Sequence, residues 1–304
     1  MAGCSGHSKN LKFGAADIGG VYYSFASTFT QLADKEIDGY TFETKTTAGS
    51  VANLRLISDG YIDLAIAQAD LLSDAYNATG TFADKKYQKG YKAVASLYTE
   101  CCQIVVRKDS GITGIDDLIN KTVSVGASES GSEKNAEQIL KMSGITDELI
   151  NKVNMDYTEA AEKLKAGEID AFFCTAGTRT EVIGQLSKEC DICLISLDDK
   201  CIDKMLSAYS LCEKYTIPAG TYNGQDSDVT TIGVKAVLIA KQSLSDDVIK
   251  NVTKTIYEHA DDFKYATSLD ISFDINTAAD GVDIPFHSGA AAYYTERGIN
   301  VLTE

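Results

Sequence analysis

Two segments of this chain, 107 residues apart, follow one plan. Residues 56–66 read Leu-Ile-Ser-Asp-Gly-Tyr-Ile-Asp-Leu-Ala-Ile, and residues 164–173 read Leu-Lys-Ala-Gly-Glu-Ile-Asp-Ala-Phe-Phe. Each is a helix end, a glycine that closes it, an Ile-Asp step and a buried strand. Superposing Gly60 on Gly167 sets Gly19 and Gly20 over Gly126 and Ala127, and Gln68 over Thr175. Turns therefore match on both sides of the echo. A repeated strand–helix–strand unit predicts an α/β fold with largely parallel sheets in two similar lobes.

The rest of the pattern agrees. Residues 11–15 alternate as a strand, and Val21, Phe25, Phe29, Leu32 and Ala33 share one helical face. Residues 41–47 are rich in β-formers, Ser50 can cap a helix bearing Val51, Leu54 and Ile57, and residues 62–67 form a strand before a helix over 69–77. Strands follow over 93–98, 103–107 and 122–126, then a helix bearing Ala136, Ile139 and Leu140. Residues 153–157 and 169–174 read as strands with a helix through Leu164 between them. Residues 216–231 read as a turn-rich loop and 231–240 as a strand. Ser245 caps a helix with Val248, Ile249, Val252 and Ile256 inward, and a last helix holds Ala290, Ala291, Tyr293 and Tyr294. At 304 residues with only two prolines, the chain is long enough for two lobes and has no Pro-rich linker. The expected division is a tether over 1–10, lobe I over 11–107 and 236–304, and lobe II over 108–235. Crossings near 105–107 and 233–236 would make the hinge of a clamshell.

The formal net charge of −16 and the lack of a basic run argue against nucleic acid. No run of 18 apolar residues exists to span a bilayer. Met1-Ala2-Gly3-Cys4-Ser5-Gly6 resembles the tail of a bacterial lipoprotein signal, which makes Cys4 the expected lipidation site of an extracytoplasmic protein, cell-surface or periplasmic. Without Cys4 seven of the eight cysteines remain, so full pairing is impossible and the disulfide state stays open. The Cys190-x-x-Cys193 pair has neither a second such pair nor a nearby His, so no metal is expected. Residues 14–21 have P-loop glycine spacing without its Lys and Ser/Thr, and the three histidines are scattered. The expectation is a monomeric binding protein with no cofactor and no catalytic cluster.

Where would it bind? In α/β sheets ligands lie beyond the carboxyl ends of strands, at helix N-termini. Five such junctions here are rich in small residues: 17–23, 46–50, 67–70, 126–132 and 174–178. Their backbone N–H groups and helix dipoles attract a carboxylate or phosphate, which solves the problem of holding an anion in an acidic protein. The candidate contacts are Gly20, Val21, Tyr22, Ser50, Gln68, Ser128, Gly131, Ser132, Thr175 and Gly177. Arg179, placed one residue inside a helix start, could pair with a second carboxylate, and Tyr222 could close the cleft, as could Tyr23 and Tyr98. Ser132→Ala is expected to weaken binding and spare the fold.

These residues also carry a family likeness. Gly19-Gly20-Val21-Tyr22-Tyr23, Gly49-Ser50-Val51-Ala52-Asn53-Leu54-Arg55, Gln68-Ala69-Asp70, Ala95-Ser96-Leu97-Tyr98, residues 105–112, Val123-Ser124-Val125-Gly126, Thr175-Ala176-Gly177 and residues 217–222 occur in order along the chain. The sequence resembles the TAXI family, the TRAP-associated extracytoplasmic solute receptors, over residues 11–298. That resemblance implies a type II periplasmic-binding clamshell that delivers glutamate, glutamine, 2-oxoglutarate or a similar solute to the membrane subunits of a TRAP-type secondary transporter. The chain departs from the family pattern at Cys101, where a Pro is usual, and at Thr178-Arg179-Thr180, where Ala-Pro-Thr is usual. The Arg favours a second carboxylate. A sensor input for a membrane receptor is the alternative on the same fold, and an enzyme is the third reading.

Overall fold

A computed structural model describes residues 9–84, 90–268 and 273–304. Cys4 and nearly all of the expected tether lie outside the described residues.

The first repeat comprises β1 (Lys9–Gly14), α1 (Val21–Glu36), β2 (Tyr40–Lys45), α2 (Ser50–Ser58) and β3 (Leu64–Gln68), with α3 (Ala69–Asn77) following directly. β1 lies between β2 and β3, parallel to both. Then comes β4 (Tyr91–Arg107), a single strand of 17 residues. The second repeat is β5 (Thr122–Ser124), α4 (Gly131–Met142), β6 (Asn151–Val153), α5 (Tyr157–Ala166) and β7 (Ala171–Ala176), with β5 parallel to β6 and β7. Next are α6 (Glu181–Glu189), β8 (Ile192–Leu194), α7 (Asp199–Ala208), β9 (Cys212–Ile217) and β10 (Val229–Lys241). Helices α8 (Asp246–Glu258), α9 (Ala260–Thr267) and α10 (Ser288–Thr295) end the chain, against lobe I.

The strands run in the order β2-β1-β3-β10-β4-β7-β5-β6. A three-strand parallel unit thus stands at each end, and two long strands join them. Those joining strands are antiparallel to each other and to β3 and β7, which makes the sheet mixed where a largely parallel one was expected. The reason is topological: β4 carries the chain out to lobe II and β10 brings it back. β4 exchanges β10 for β7 as its neighbour at Cys101, and β10 exchanges β9 for β3 between Val234 and Ala236.

The repeat is real but not of constant spacing. From α2 onward the offset is 107, because Ser50 and Tyr157 open equivalent helices and Leu64 and Ala171 open equivalent strands. Earlier it is 110: Gly14 pairs with Ala65 as Ser124 pairs with Phe172, and α1 starts at Val21 where α4 starts at Gly131. Gly20 therefore stands over Ser130, not Ala127. α1 has 16 residues and α4 has 12, and that segment absorbs the slip.

Other expectations need correction. The strands over 93–98 and 103–107 are both β4; polar Thr99 and Glu100 looked like a break, yet Glu100 is buried. Tyr157 belongs to α5, since the β6 strand ends at Val153. Ser50 is the first residue of α2 rather than its cap, a place taken by Gly49. The 216–231 loop is shortened at both ends by β9 and β10.

Lobe I is held by an aromatic cluster in which Phe13, Phe25 and Phe29 are fully buried and Phe25 stacks on Phe263 at 4.4 Å. Burying one such side chain contributes about 1.5–3 kcal/mol. The same core continues past Val105 to Ala160, Leu164, Phe172 and Ile183 on one face of the lobe II sheet. A second core, with Ile104, Val123, Ile139 and Met205, fills the other face under α4 and α7. No helix among the described residues is long and apolar enough to cross a membrane.

Candidate ligand cleft

The strand ends place the site. β1, β3, β5 and β7 all terminate toward the gap between the lobes, and α1, α2, α4 and α5 begin there. Their first turns enclose a cavity of about 30 Å³. That is room for a water or two between the lobes as they stand. From lobe I the walls include Asp17, Gly20, Val21, Tyr22, Gly49, Ser50 and Gln68, with Glu100 from β4. From lobe II they include Ala127, Ser130, Gly131, Ser132, Tyr157 and Thr175.

The two halves of this wall are built alike, with one exchange. In lobe II, the Thr175 N–H donates to Ser132 Oγ at 2.8 Å, Ser132 and Tyr157 share a hydroxyl contact of 2.6 Å, and the Tyr157 hydroxyl donates to the Thr175 carbonyl at 3.0 Å. In lobe I, the Gln68 N–H donates to Ser50 Oγ at 3.1 Å. Under the repeat, Tyr22 stands for Ser132 and Ser50 for Tyr157. Each lobe thus has one Ser and one Tyr at the helix starts, on opposite helices, and in both the Ser accepts from the last strand. Asn53, fully buried, fixes the lobe I junctions: its amide donates to the carbonyls of Ala15 and Ile66 at 2.7 and 2.8 Å, and it accepts from Thr47 Oγ1.

Helices α1, α2 and α3 begin at Gly20, Gly49 and Gln68 without a side-chain cap. Their first N–H groups are the orphan donors that a helix start offers to an anion. α4 and α5 are capped by Ser130 and Asp156. Glycine is needed where the lobes meet. Gly49 has φ +117°, and a Cβ there would lie 3.6 Å from Ser130. A Cβ on Gly131 would lie 2.5 Å from the Gln68 amide.

Acceptors outnumber partners in the cavity. Gln68 Oε1 is buried with no hydrogen bond among the described residues. Glu100, 3% exposed, accepts from the Tyr22 hydroxyl at 2.7 Å. Burial pushes its carboxyl up to about 8, Tyr22 and Gln68 pull it back by hydrogen bonding, and the Asp70 charge adds to the rise. Burial, then the Asp156 charge across the cleft, raises Asp17 to about 6. No Lys, Arg or His among the described residues lines the cavity.

Outside the cavity the lobes are clasped. Arg55 of α2 forms a forked pair with Glu129, through Nε at 3.0 Å and an Nη at 2.6 Å. The Ala52 N–H donates to the Glu129 carbonyl at 3.1 Å, and Glu129 takes a left-handed φ of +66°.

Of the residues expected from sequence, Gly20, Val21, Tyr22, Ser50, Gln68, Gly131, Ser132 and Thr175 line the cavity. Four do not. Ser128 is exposed in the turn before α4. Gly177 lies past β7, where its carbonyl accepts from Thr180 Oγ1. Arg179 is two residues before α6, exposed and left-handed at φ +71°, so it is not inside the helix start. Tyr222 is buried beside β4, donating to Gln103 Oε1 at 2.5 Å and accepting from the Thr180 N–H at 3.0 Å. Tyr23 and Tyr98 also stand outside the lining. Asp17, Glu100, Ser130 and Tyr157 were missed. The echo at offset 107 sets Tyr157 over Ser50, and Ser130 with Glu133 is a helix-capping pair.

The sequence profile of a family described as NMT1-like matches residues 13–298. Among solved structures, PhnD1 from Prochlorococcus marinus (MIT 9301), in complex with methylphosphonate, is 12% identical with a TM-score of 0.55, covering 96% of this chain and 91% of its own. An ancestral arginine-binding protein bound to arginine is 16% identical with a TM-score of 0.52, covering 86% and 98%. A Xanthomonas citri protein bound to ATP is 11% identical with a TM-score of 0.53, covering 86% and 87%. These likenesses establish the two-lobed periplasmic-binding-protein fold. The dissimilar molecules held by those three proteins show that this fold does not dictate its ligand.

Proposed function

Because this chain belongs to the NMT1-like family, we propose that it is a non-enzymatic, extracytoplasmic solute-binding protein that closes on a small carboxylate and presents it to a membrane transporter. One observation carries the reading: helix starts from both repeats converge on one cavity whose wall holds a buried acceptor without a partner, Gln68 Oε1. The ligand carboxylate lies on the uncapped starts of α1 and α2, against Gly20, Val21, Tyr22 and Ser50. Gln68, Gly131, Ser132 and Thr175 complete the contact from the facing walls. Lobe I is residues 11–107 and 236–304 and lobe II is 108–235, turning about β4 and β10. Bound solute stabilises the closed state because only that state makes both sets of contacts.

The partner in this reading is a TRAP-type membrane pair, supported by the ordered TAXI-like motifs from Gly19-Gly20-Val21-Tyr22-Tyr23 to residues 217–222. The protein acts as a monomer, anchored through lipidated Cys4.

The test is thermal stability against a panel of amino and dicarboxylic acids. A ligand that binds only the folded state raises the melting temperature as its concentration passes Kd. The expected result is a saturable rise with L-glutamate or a close analogue. No rise with any acid in the panel would overturn the reading. Uptake in vesicles carrying the TRAP subunits should follow an ion gradient, and dependence on ATP would reassign the partner.

A further inference from the structure

Resting on that reading of the cavity, we propose that Glu100 is its specificity-determining residue: it receives the ammonium of an amino-acid zwitterion, and binding expels the proton that Glu100 otherwise holds.

The uncapped helix starts supply donors for a carboxylate. The opposite need is unmet: Gln68 Oε1 is a buried acceptor without a partner, and Glu100 borders the same space. An ammonium group brings three donors and no acceptor, which suits such a cluster. A 2-oxo group brings acceptors only and would add to the surplus.

Charge points the same way. Glu100 is buried, and the groups that act on it, Tyr22, Gln68 and Asp70, include no cation. An unpaired carboxylate is costly to bury, so either it stays protonated or a cation comes to it. The cavity wall offers no cation and adds a second carboxyl, Asp17. The ionisable groups facing Glu100 are Tyr22 on α1, Tyr98 and Cys101 on β4, Asp70 on α3, Tyr157 on α5 and Cys174 on β7. Burial raises all these phenols and thiols, which are neutral at pH 7, and raises the Asp70 carboxyl to about 6. No neighbour therefore compensates a Glu100 carboxylate, and the solute must.

With its carboxyl raised to about 8, empty Glu100 is protonated at pH 7. An ammonium ligand needs the carboxylate, so the proton leaves to solvent as the ligand enters. Apparent affinity then rises with pH, up to about tenfold per unit, and levels off near pH 8.

The experiment is calorimetry with L-glutamate and 2-oxoglutarate, which differ only at the amino or oxo group, at pH 7 in two buffers of different ionisation enthalpy. Glutamate should bind at least about tenfold tighter and release close to one proton. Glu100→Gln should abolish the release and bring the two affinities within about threefold, with its melting curve as the check on folding. The proton count on the unaltered protein keeps the test valid if that variant does not fold. 2-Oxoglutarate binding as tightly as glutamate, or glutamate binding with no proton released, overturns the role given to Glu100 while solute capture stands. Failure of both compounds, together with no thermal shift across the acid panel, overturns the solute reading itself.

Discussion

Ser132 stands where a ligand and the fold compete for one hydroxyl. Its oxygen accepts from the Thr175 N–H, and its hydrogen is shared with Tyr157. Ser132→Ala strands a buried N–H, which costs about 1–3 kcal/mol. Urea unfolding should therefore register a loss of that order together with weaker binding, a broader effect than sequence alone predicted. Unchanged stability would show that Thr175 finds another acceptor. Much of the site was legible because small residues at strand–helix junctions mark close backbone approach. Which residue of a junction faces inward was not legible. Ser128 and Ser130 belong to one turn, yet the left-handed Glu129 between them leaves the first exposed and the second in the wall. Glu100 was hidden for another reason. A lone acid within an apolar strand reads as an interruption unless its burial is known.

At the scale of elements, the start of α2 is clasped to the turn before α4 by the Arg55–Glu129 pair. The two side chains are 40% and 41% exposed, so the pair is worth roughly 0.2–1 kcal/mol and is weakened by salt. Arg55→Ala should speed ligand release by up to about fivefold in stopped flow. The unaltered protein should approach that rate in high salt, and Arg55→Ala should respond less. An unchanged release rate would mean that the Ala52–Glu129 backbone bond suffices to hold this edge. The sequence disclosed the elements with strong periodicity, above all α1, α3 and α8. It did not disclose α7, β8 and β9, and it set the start of α6 too early, because β8 offers only three residues to read and the turns around it blur the neighbouring boundaries. The antiparallel centre of the sheet was also invisible, since direction is set by where the chain travels and not by local pattern.

For the whole molecule, closure is the measurable motion. The cavity is small and both walls contribute, so solute should shift the population toward the compact form. X-ray scattering should show the radius of gyration falling when the solute found by thermal shift is added. A radius that stays constant as that solute saturates would mean that the empty protein is already closed. The route of the chain has a different consequence, for assembly. β10 fills the slot between β3 and β4, although 160 residues separate the end of β3 from its start. All of the proposed lobe II except the first residues of β10 lies within that interval. A growing chain can therefore assemble most of lobe II while lobe I still carries two open strand edges, and such edges are where unwanted pairing begins. Docking of β10 is also the most non-local step in the sheet and hence a slow one. The strands that let the finished clamp bend thus make its first-synthesised lobe the last to be sealed.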